Sequence, residues 1–207
     1  MSATFRISFV AASAASLIIA SAASAQGTAS TTSAPATPAT APAAVPAPPP
    51  PAEIDIGKVA PDFTLEWANA SGAIAKPFKL SELRGKVVVL AFYPADRTGG
   101  CTAELTKFRD QFATMFAGQT VVIPISKDDI ASHTSWASEM KFPFSLGSDP
   151  SLTVAKRYGS WTADRTTSNR TVFVIGKDGR ILWRNLKFGA LNEAAYTELA
   201  AEVSKAQ

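Results

Sequence analysis

The sequence predicts an α/β sandwich in which a mixed central sheet carries helices on both faces. Three observations lead to this prediction. Segments with strand character alternate with segments of helical periodicity, one strand candidate is apolar throughout, and a clear hairpin signal stands near the end. Alternating elements around fully apolar strands are typical of a sheet that is covered on both sides.

The first elements predict a β-hairpin that extends the sandwich on its N-terminal side. Residues 62–67 (DFTLEW) alternate as a short strand, a Ser-Gly turn follows, and residues 77–80 complete the hairpin. Residues 81–83 predict a brief helical turn. Residues 87–93 (VVVLAFY) are continuously apolar, which favours a central strand buried on both faces.

The middle of the chain predicts a helix, a strand and a second helix. Residues 101–116 have apolar positions at helical spacing. Residues 120–126 (TVVIPIS) predict another buried strand, although Pro124 is unusual inside a strand. Residues 128–140 predict a helix that begins at one of two adjacent aspartates.

The last third completes the alternation. Residues 144–146 predict a short strand, and residues 151–158 predict a helix closed by a glycine. Residues 171–175 and 180–185 flank a Gly-Lys-Asp-Gly segment, which is a strong hairpin signal, and residues 192–205 predict an amphipathic terminal helix. This order of elements is compatible with a thioredoxin-like fold that has an N-terminal extension.

The composition divides the chain into three parts, of which residues 53–207 form the predicted folded domain. Residues 1–25 combine an early arginine, a short apolar stretch and an Ala-Ser-Ala pattern, which predicts a secretory signal peptide. Residues 26–52 are almost entirely Ala, Pro, Thr, Ser and Gly, so they predict a disordered linker. We therefore expect a periplasmic or secreted protein, or a membrane-tethered one if the signal is not cleaved.

The charged and metal-binding residues exclude several classes of function. Residues 53–207 carry 19 Lys and Arg against 17 Asp and Glu, a net charge of +2 without a basic cluster, so no nucleic-acid partner is predicted. One cysteine and one histidine offer too few ligands for a zinc site. No metal, haem or flavin cofactor is expected. A solvated or packing role is predicted for the histidine, His133.

The single cysteine, Cys101, stands at the start of a predicted helix, after a buried strand and a loop with two glycines. Unpaired N–H groups and the positive end of the helix dipole favour a thiolate there. Thr98 can place a hydroxyl beside the sulfur, and Gly100 lets the backbone approach a small ligand closely. The alternative is a buried cysteine that acts only as a small apolar side chain.

The segment from Pro94 to Cys101 resembles the P-x-x-x-T-x-x-C signature of peroxiredoxins, with Thr98 at the threonine position. It is most similar to the bacterioferritin comigratory protein branch, whose loops read much like FYPADRTGGCTAEL. The resemblance continues through further blocks of the domain, at residues 57–65, 80–86, 148–150, 154–159, 170–175 and 179–181.

This resemblance implies a thiol peroxidase that reduces hydrogen peroxide or small organic hydroperoxides through a cysteine sulfenic acid. Cys101 resembles the peroxidatic cysteine, and Thr98 the residue that hydrogen-bonds the thiolate and the peroxide. Arg170 matches the arginine that stabilises the thiolate and the leaving oxygen. Pro94 would shield the sulfur from water.

Two further site residues follow from the same resemblance. Backbone N–H groups near Gly100 would hold the peroxide oxygens, and Glu104 would orient an arginine. Structural alternatives stay open for two of the catalytic candidates. Arg170 could form a salt bridge on a strand, and Thr98 could serve only as the hydroxyl at a helix start.

The sequence departs from the family pattern at two positions. A resolving cysteine often follows the first one by five positions, where this chain has Thr106, and Gly99 replaces the usual proline before the Gly-Cys pair. The sulfenic acid must therefore be reduced by an external thiol, either a thioredoxin-like protein or a small thiol, or pair with another chain. This predicts a one-cysteine mechanism in a monomer or a homodimer. The alternatives are a redox sensor or binding module, and a tethered structural protein.

Overall fold

The computed structural model describes residues 54–207. The predictions of a signal peptide over residues 1–25 and a linker over residues 26–52 fall on residues outside this range and stay predictions. Among the described residues, no helix is both long and apolar enough to span a membrane.

The described residues form eight strands, five α-helices and one short 3₁₀ helix at Leu80–Leu83. The strands are β1 (Thr64–Asn69), β2 (Gly72–Ala73), β3 (Phe78–Lys79), β4 (Val87–Phe92), β5 (Thr120–Ser126), β6 (Leu146–Ser148), β7 (Thr171–Ile175) and β8 (Ile181–Asn185). The helices are α1 (Gly99–Asp110), α2 (Phe112–Met115), α3 (Ile130–Met140), α4 (Thr153–Arg157) and α5 (Glu193–Lys205).

The strands form one mixed sheet in the order β2-β1-β6-β5-β4-β7-β8, with β3 paired to β1. Strands β4, β5 and β6 run parallel, whereas β7 pairs antiparallel with both β4 and β8. Strand β1 pairs antiparallel with β2, β3 and β6, so the N-terminal hairpin joins the main sheet. The predicted mixed sheet with an N-terminal hairpin is confirmed.

Residues of β4 alternate between two hydrophobic cores, one on each face of the sheet. The odd-numbered residues join side chains of α1, α3 and α5, and the even-numbered residues join α4 and the N-terminal hairpin. All six residues of β4 are buried. Because burying a large apolar side chain contributes roughly 1.5–3 kcal/mol, the two cores fix β4 and the start of the loop that follows it.

The helix predicted over residues 101–116 is wrong in its extent. Helix α1 begins two residues earlier, at Gly99, and Gln111 (φ −108°, ψ 17°) separates it from α2. The break turns Met115 and Phe116 into the core, where Phe116 packs edge-on against Phe108 with ring centroids 5.3 Å apart. The burial of Met115 and Phe116 in the core stabilises the break more than a continuous helix would stabilise this segment.

Two smaller predictions are also displaced. The strand predicted over residues 144–146 lies at Leu146–Ser148, because Phe144 stacks on Phe142 in the core and leaves the pairing to the residues that follow. Helix α4 is shorter than predicted, because Leu152 has a left-handed backbone (φ 56°) and cannot continue a helix.

Pro124 is accommodated within β5 by the register of the neighbouring strands. Strand β4 pairs along the whole of β5, but the pairing with β6 begins only at Ile125. Pro124 therefore has a strand neighbour on one side only, as at a sheet edge, where its missing N–H is tolerated.

One edge of the sheet is short, and the other is covered at its first residue. At one edge, β2 contains only two residues. At the other edge, the outer side of Ile181 in β8 is bonded to an earlier segment: Gly57 N–H donates to the Ile181 carbonyl (2.8 Å), and Ile181 N–H donates to the Lys58 carbonyl (2.9 Å).

Candidate active site

Cys101 is the third residue of α1 and is fully buried. The residue before the helix, Thr98, has an extended backbone (φ −74°, ψ 147°), which lets the chain turn from the loop into α1. The first intrahelical bond runs from Thr102 N–H to the Thr98 carbonyl (2.8 Å). The N–H groups ahead of Thr102 therefore have no helical acceptor, and they give the helix start its partial positive charge near the sulfur.

Arg170 lies directly before β7, and the sheet brings it beside Cys101. Strand β7 is antiparallel to β4, with Thr171 opposite Phe92, so the start of β7 adjoins the loop that follows β4. The Nη2 group of Arg170 donates to Cys101 Sγ at 3.3 Å, and Nη1 donates to Glu104. The structure thus brings together three of the residues that the sequence singled out.

Glu104 is a fully buried carboxylate one helical turn after Cys101. Its Oε2 accepts from Arg170, while Oε1 has no hydrogen-bond partner within the described residues. Burial raises the pKa of Glu104 to about 7, although the positive charge of Arg170 opposes this shift. Glu104 can therefore change its charge near neutral pH.

The charge of Arg170 is maintained by its two neighbours. Burial disfavours the charged guanidinium, but the carboxylate of Glu104 and the sulfur of Cys101 raise the pKa of Arg170 above its ordinary value. A cation fixed beside a sulfur stabilises the thiolate form, which is the nucleophile. The alternative of a sulfur enclosed only by apolar side chains does not describe this position.

The remaining predicted site residues surround this group. A Cβ atom at Gly100 would lie 3.1 Å from Arg170 Nη2, so glycine permits the close approach of the guanidinium to the helix start. Thr98 donates its hydroxyl hydrogen to the Ala95 carbonyl (3.0 Å) instead of the sulfur. To donate to a thiolate or peroxide, that hydroxyl has to rotate.

An open cleft of about 680 Å³ adjoins Arg170. Pro94 lines it, together with the apolar side chains of Leu186 and Phe188. The cleft gives a small molecule with both a polar and an apolar part room to lie beside the guanidinium.

Comparison with known proteins identifies the family. Residues 56–184, more than half of the chain, match the sequence model of the AhpC/TSA family. The chain belongs to this family. It is a thiol peroxidase, a peroxiredoxin of the bacterioferritin comigratory protein type.

Curated relatives support this assignment. The chain is 35% identical over 142 residues to a protein named putative peroxiredoxin bcp of Coxiella burnetii, covering 65% of this chain and 91% of that protein. It is 33% identical to peroxiredoxin Bcp of Bacillus subtilis, covering 65% of this chain and 87% of the relative. The chloroplastic peroxiredoxin Q of Arabidopsis thaliana is 44% identical over 129 residues, which span 62% of this chain and 57% of the plant protein.

Solved structures agree with the fold. The peroxidoxin BcpB of Mycobacterium tuberculosis superimposes with a TM-score of 0.63 at 28% identity, covering 74% of this chain and 99% of that one. The AhpC of Enterococcus faecalis has the same TM-score of 0.63 at 22% identity and covers 70% of this chain and 90% of its own, which supports the fold alone.

The structure also shows a second polar cluster in the peroxiredoxin, at the loop of residues 94–98 that precedes α1, which the sequence interpretation missed. Asp96, between Pro94 and Thr98, pairs with His133 of α3, and both side chains are buried. Of the two roles predicted for His133, the solvated one is therefore wrong and the packing one is confirmed. The available signal was helical spacing, because His133 shares a face of α3 with the buried Trp136 and Ala137.

Proposed function

We propose that this peroxiredoxin is a one-cysteine peroxidase that reduces hydrogen peroxide or small organic hydroperoxides with Cys101 and is regenerated by an external thiol. The observation that carries the proposal is the Arg170 guanidinium, which lies 3.3 Å from the only sulfhydryl of the chain. The position of that sulfur at a helix start supports the same chemistry.

In the first step, the thiolate of Cys101 attacks one oxygen of the peroxide. The S–O bond forms as the O–O bond breaks, giving a sulfenic acid and an alcohol, or water from hydrogen peroxide, once the leaving oxygen takes a proton. Arg170 is placed to stabilise the negative charge that develops on that oxygen, and fixed donors of this kind lower the barrier most where charge forms.

The other site residues have supporting roles in this proposal. Unpaired N–H groups at Gly100 and its neighbours donate to the peroxide oxygens, and Thr98 adds a donor after rotation of its hydroxyl. Glu104 holds Arg170 through the second branch of the guanidinium. Pro94 limits access of water from the cleft.

The second half of the cycle needs two equivalents of external thiol, because position 106, where a resolving cysteine would stand, is threonine. The first thiol attacks the sulfenic sulfur, forming a mixed disulfide and releasing water. The second thiol attacks the mixed disulfide, which releases the oxidised reductant and restores the Cys101 thiol. We propose a thioredoxin-like protein or a small thiol as reductant, acting in the periplasm or outside the cell, where the predicted signal peptide would direct the domain.

The test is steady-state consumption of hydrogen peroxide in the presence of excess small thiol, with Cys101→Ser as the control. Sustained turnover that disappears in the serine variant supports the proposal. Because the sulfur is fully buried, the sulfenic acid could instead persist, as a redox sensor requires. Consumption of one equivalent without turnover would favour the sensor and overturn the catalytic cycle, and undiminished turnover in the serine variant would overturn the role of Cys101.

A further inference from the structure

We propose that Asp96 and His133 are positioning residues, whose hydrogen-bonded pair holds the loop before α1 so that Cys101 meets peroxide in the reactive geometry. This inference rests on the proposed reaction of Cys101 with peroxide. Neither residue is hydrogen-bonded to the sulfur; both act through residues 94–98, the Cys101 loop.

The carboxylate of Asp96 lies inside the protein with three side-chain donors around it. Its Oδ1 accepts from the Tyr93 hydroxyl (2.7 Å). Its Oδ2 accepts from the Ser132 hydroxyl (2.7 Å) and lies 3.0 Å from His133 Nδ1. Only 3% of the Asp96 side chain is exposed, so these contacts replace water. Burial raises the pKa of Asp96, but the hydrogen bond and charge of His133, together with the hydrogen bonds of Ser132 and Tyr93, bring it below its ordinary value.

His133 connects this carboxylate to the sheet. The ring is fully buried, and its second nitrogen, Nε2, lies 3.2 Å from the Gly147 carbonyl of β6. Both ring nitrogens therefore face oxygen acceptors, and both bonds form together only when both nitrogens carry hydrogen. The ring is thereby fixed between the Cys101 loop and β6.

The backbone of the Cys101 loop is also fixed at Asp96, by a hydrogen bond from its N–H group. Asp96 N–H donates to Asp128 Oδ2 (2.8 Å), and that carboxylate also accepts from the Ser126 hydroxyl (2.7 Å). The next residue, Arg97, has a left-handed backbone (φ 60°), and its side chain donates to Ser135 (2.9 Å). A non-glycine residue persists in this conformation where its surroundings fix it.

The consequence for Cys101 follows from the chain path. Asp96 and the left-handed Arg97 set the direction in which Thr98 enters α1, and Cys101 is three residues further on. A reacting group displaced by about 1 Å can lose about 100-fold in rate. The Asp96–His133 pair therefore affects the reaction without touching a reactant.

A matched pair of substitutions at His133 separates positioning from packing. The amide nitrogen of Asn in His133→Asn can take the place of Nδ1 and keep the bond to Asp96. The longer side chain in His133→Gln reaches toward the place of Nε2 and keeps the bond to Gly147 instead. Both variants remove the ring, so both lose similar packing.

The measurements are the second-order rate constant for oxidation of Cys101 by hydrogen peroxide, from quenched flow and mass spectrometry, and the thermal unfolding midpoint. We expect both variants to unfold at lower temperature. His133→Gln should be oxidised roughly 10- to 100-fold more slowly than the unsubstituted protein, and His133→Asn should recover most of that loss. Equal rates in the two variants would overturn the positioning role.

Asp96→Asn tests the other partner with little change of shape, and so covers the case in which the His133 variants do not fold. It places an amide where a carboxylate accepts three donors, and oxidation should again slow roughly 10-fold or more. Asp149→Asn is the control, since Asp149 is equally buried and accepts from Ala155 N–H in α4, outside the Cys101 loop. It should lose stability and keep its rate of oxidation.

The two proposals fail in different ways. If Cys101 of the unsubstituted protein is not oxidised by peroxide, the proposed function fails. If it is oxidised and Asp96→Asn reacts at the same rate, only the positioning role is overturned.

Discussion

Two buried carboxyl groups, Asp96 in the Cys101 loop and Glu104 in α1, differ in the number of donors that surround them. Asp96 has three side-chain donors, and its pKa is lowered despite burial. Glu104 has Arg170 as its hydrogen-bond donor, keeps one oxygen without a partner among the described residues, and has a pKa raised to about 7. Burial raises the pKa of both groups, and it is outweighed by the three donors around Asp96 but not by Arg170 at Glu104.

The largest expected effect comes from replacing Arg170, which is the hydrogen-bond donor to Glu104. Arg170→Ala removes the cation beside the sulfur, and we expect the rate of peroxide reduction to fall roughly 100- to 1000-fold. It also leaves Glu104 buried without its donor, so the variant should be less stable. The rate of peroxide consumption measures the first effect, and the thermal unfolding midpoint measures the second.

A double variant separates these effects. Adding Glu104→Gln to Arg170→Ala removes the unpaired buried acid, so stability should partly return while the reaction stays slow. Recovery of the reaction together with stability would contradict a direct role of Arg170.

The second prediction concerns the pH dependence of stability through Glu104. Its pKa is about 7 in the folded protein and 4.5 as a free side chain, so the folded state holds the proton more tightly. The stability that this proton contributes is present below pH 4.5 and is lost as the pH rises to about 7. The change is roughly 3 kcal/mol, at 1.4 kcal/mol for each pKa unit. Denaturant unfolding of Glu104→Gln should lack this slope, and an unchanged slope would exclude the shift.

Asp96 should show the opposite dependence, with a smaller effect. Its pKa is lowered from 3.8, so its contribution to stability is present above pH 3.8 and is lost as the pH falls through the lowered pKa. Asp96→Asn should therefore destabilise the protein at neutral pH by roughly 1–3 kcal/mol. The difference from the unsubstituted protein should shrink at acid pH, as measured by urea unfolding. A constant difference at all pH values would mean that the charge of Asp96 contributes nothing.

The smallest expected effect lies in the backbone between the two carboxyl groups. Gly99 is the first residue of α1, where proline is favoured, and the extended Thr98 before it suits a following proline. No atom lies within 4 Å of a Cβ built at Gly99. We expect Gly99→Pro to stabilise the fold by about 0.4–1 kcal/mol through the unfolded chain, seen as a higher unfolding midpoint. Gly100→Pro is the contrasting variant, because Arg170 Nη2 lies 3.1 Å from a Cβ at that position, and it should destabilise the protein.

The sequence predicted the elements whose pattern is local. The apolar run of β4 and the cysteine at a helix start were recognisable because strand burial and helix-start chemistry depend on neighbouring residues. The break at Gln111 was not, because it depends on Phe116 meeting Phe108 in the tertiary core. The shift of β6 likewise depends on the stacking of Phe142 on Phe144.

The candidate site divides in the same way. The family signature located Cys101 and Arg170, and the structure adds the distance that joins them. The pairing of Asp96 with His133 spans 37 positions and two elements, so no local pattern shows it. His133 looked polar because its immediate neighbours are Ser and Thr, although its helical neighbours at three and four positions are buried.

The edges of the sheet bear on how copies of this enzyme could meet. Strand addition between molecules needs a run of free backbone N–H and C=O groups along an edge. Here one edge strand is only two residues long, and the other has its first residue already bonded to the segment at Gly57 and Lys58. Strand addition at these edges is therefore limited to short runs of backbone, which disfavours a continuous sheet built from many copies of this domain.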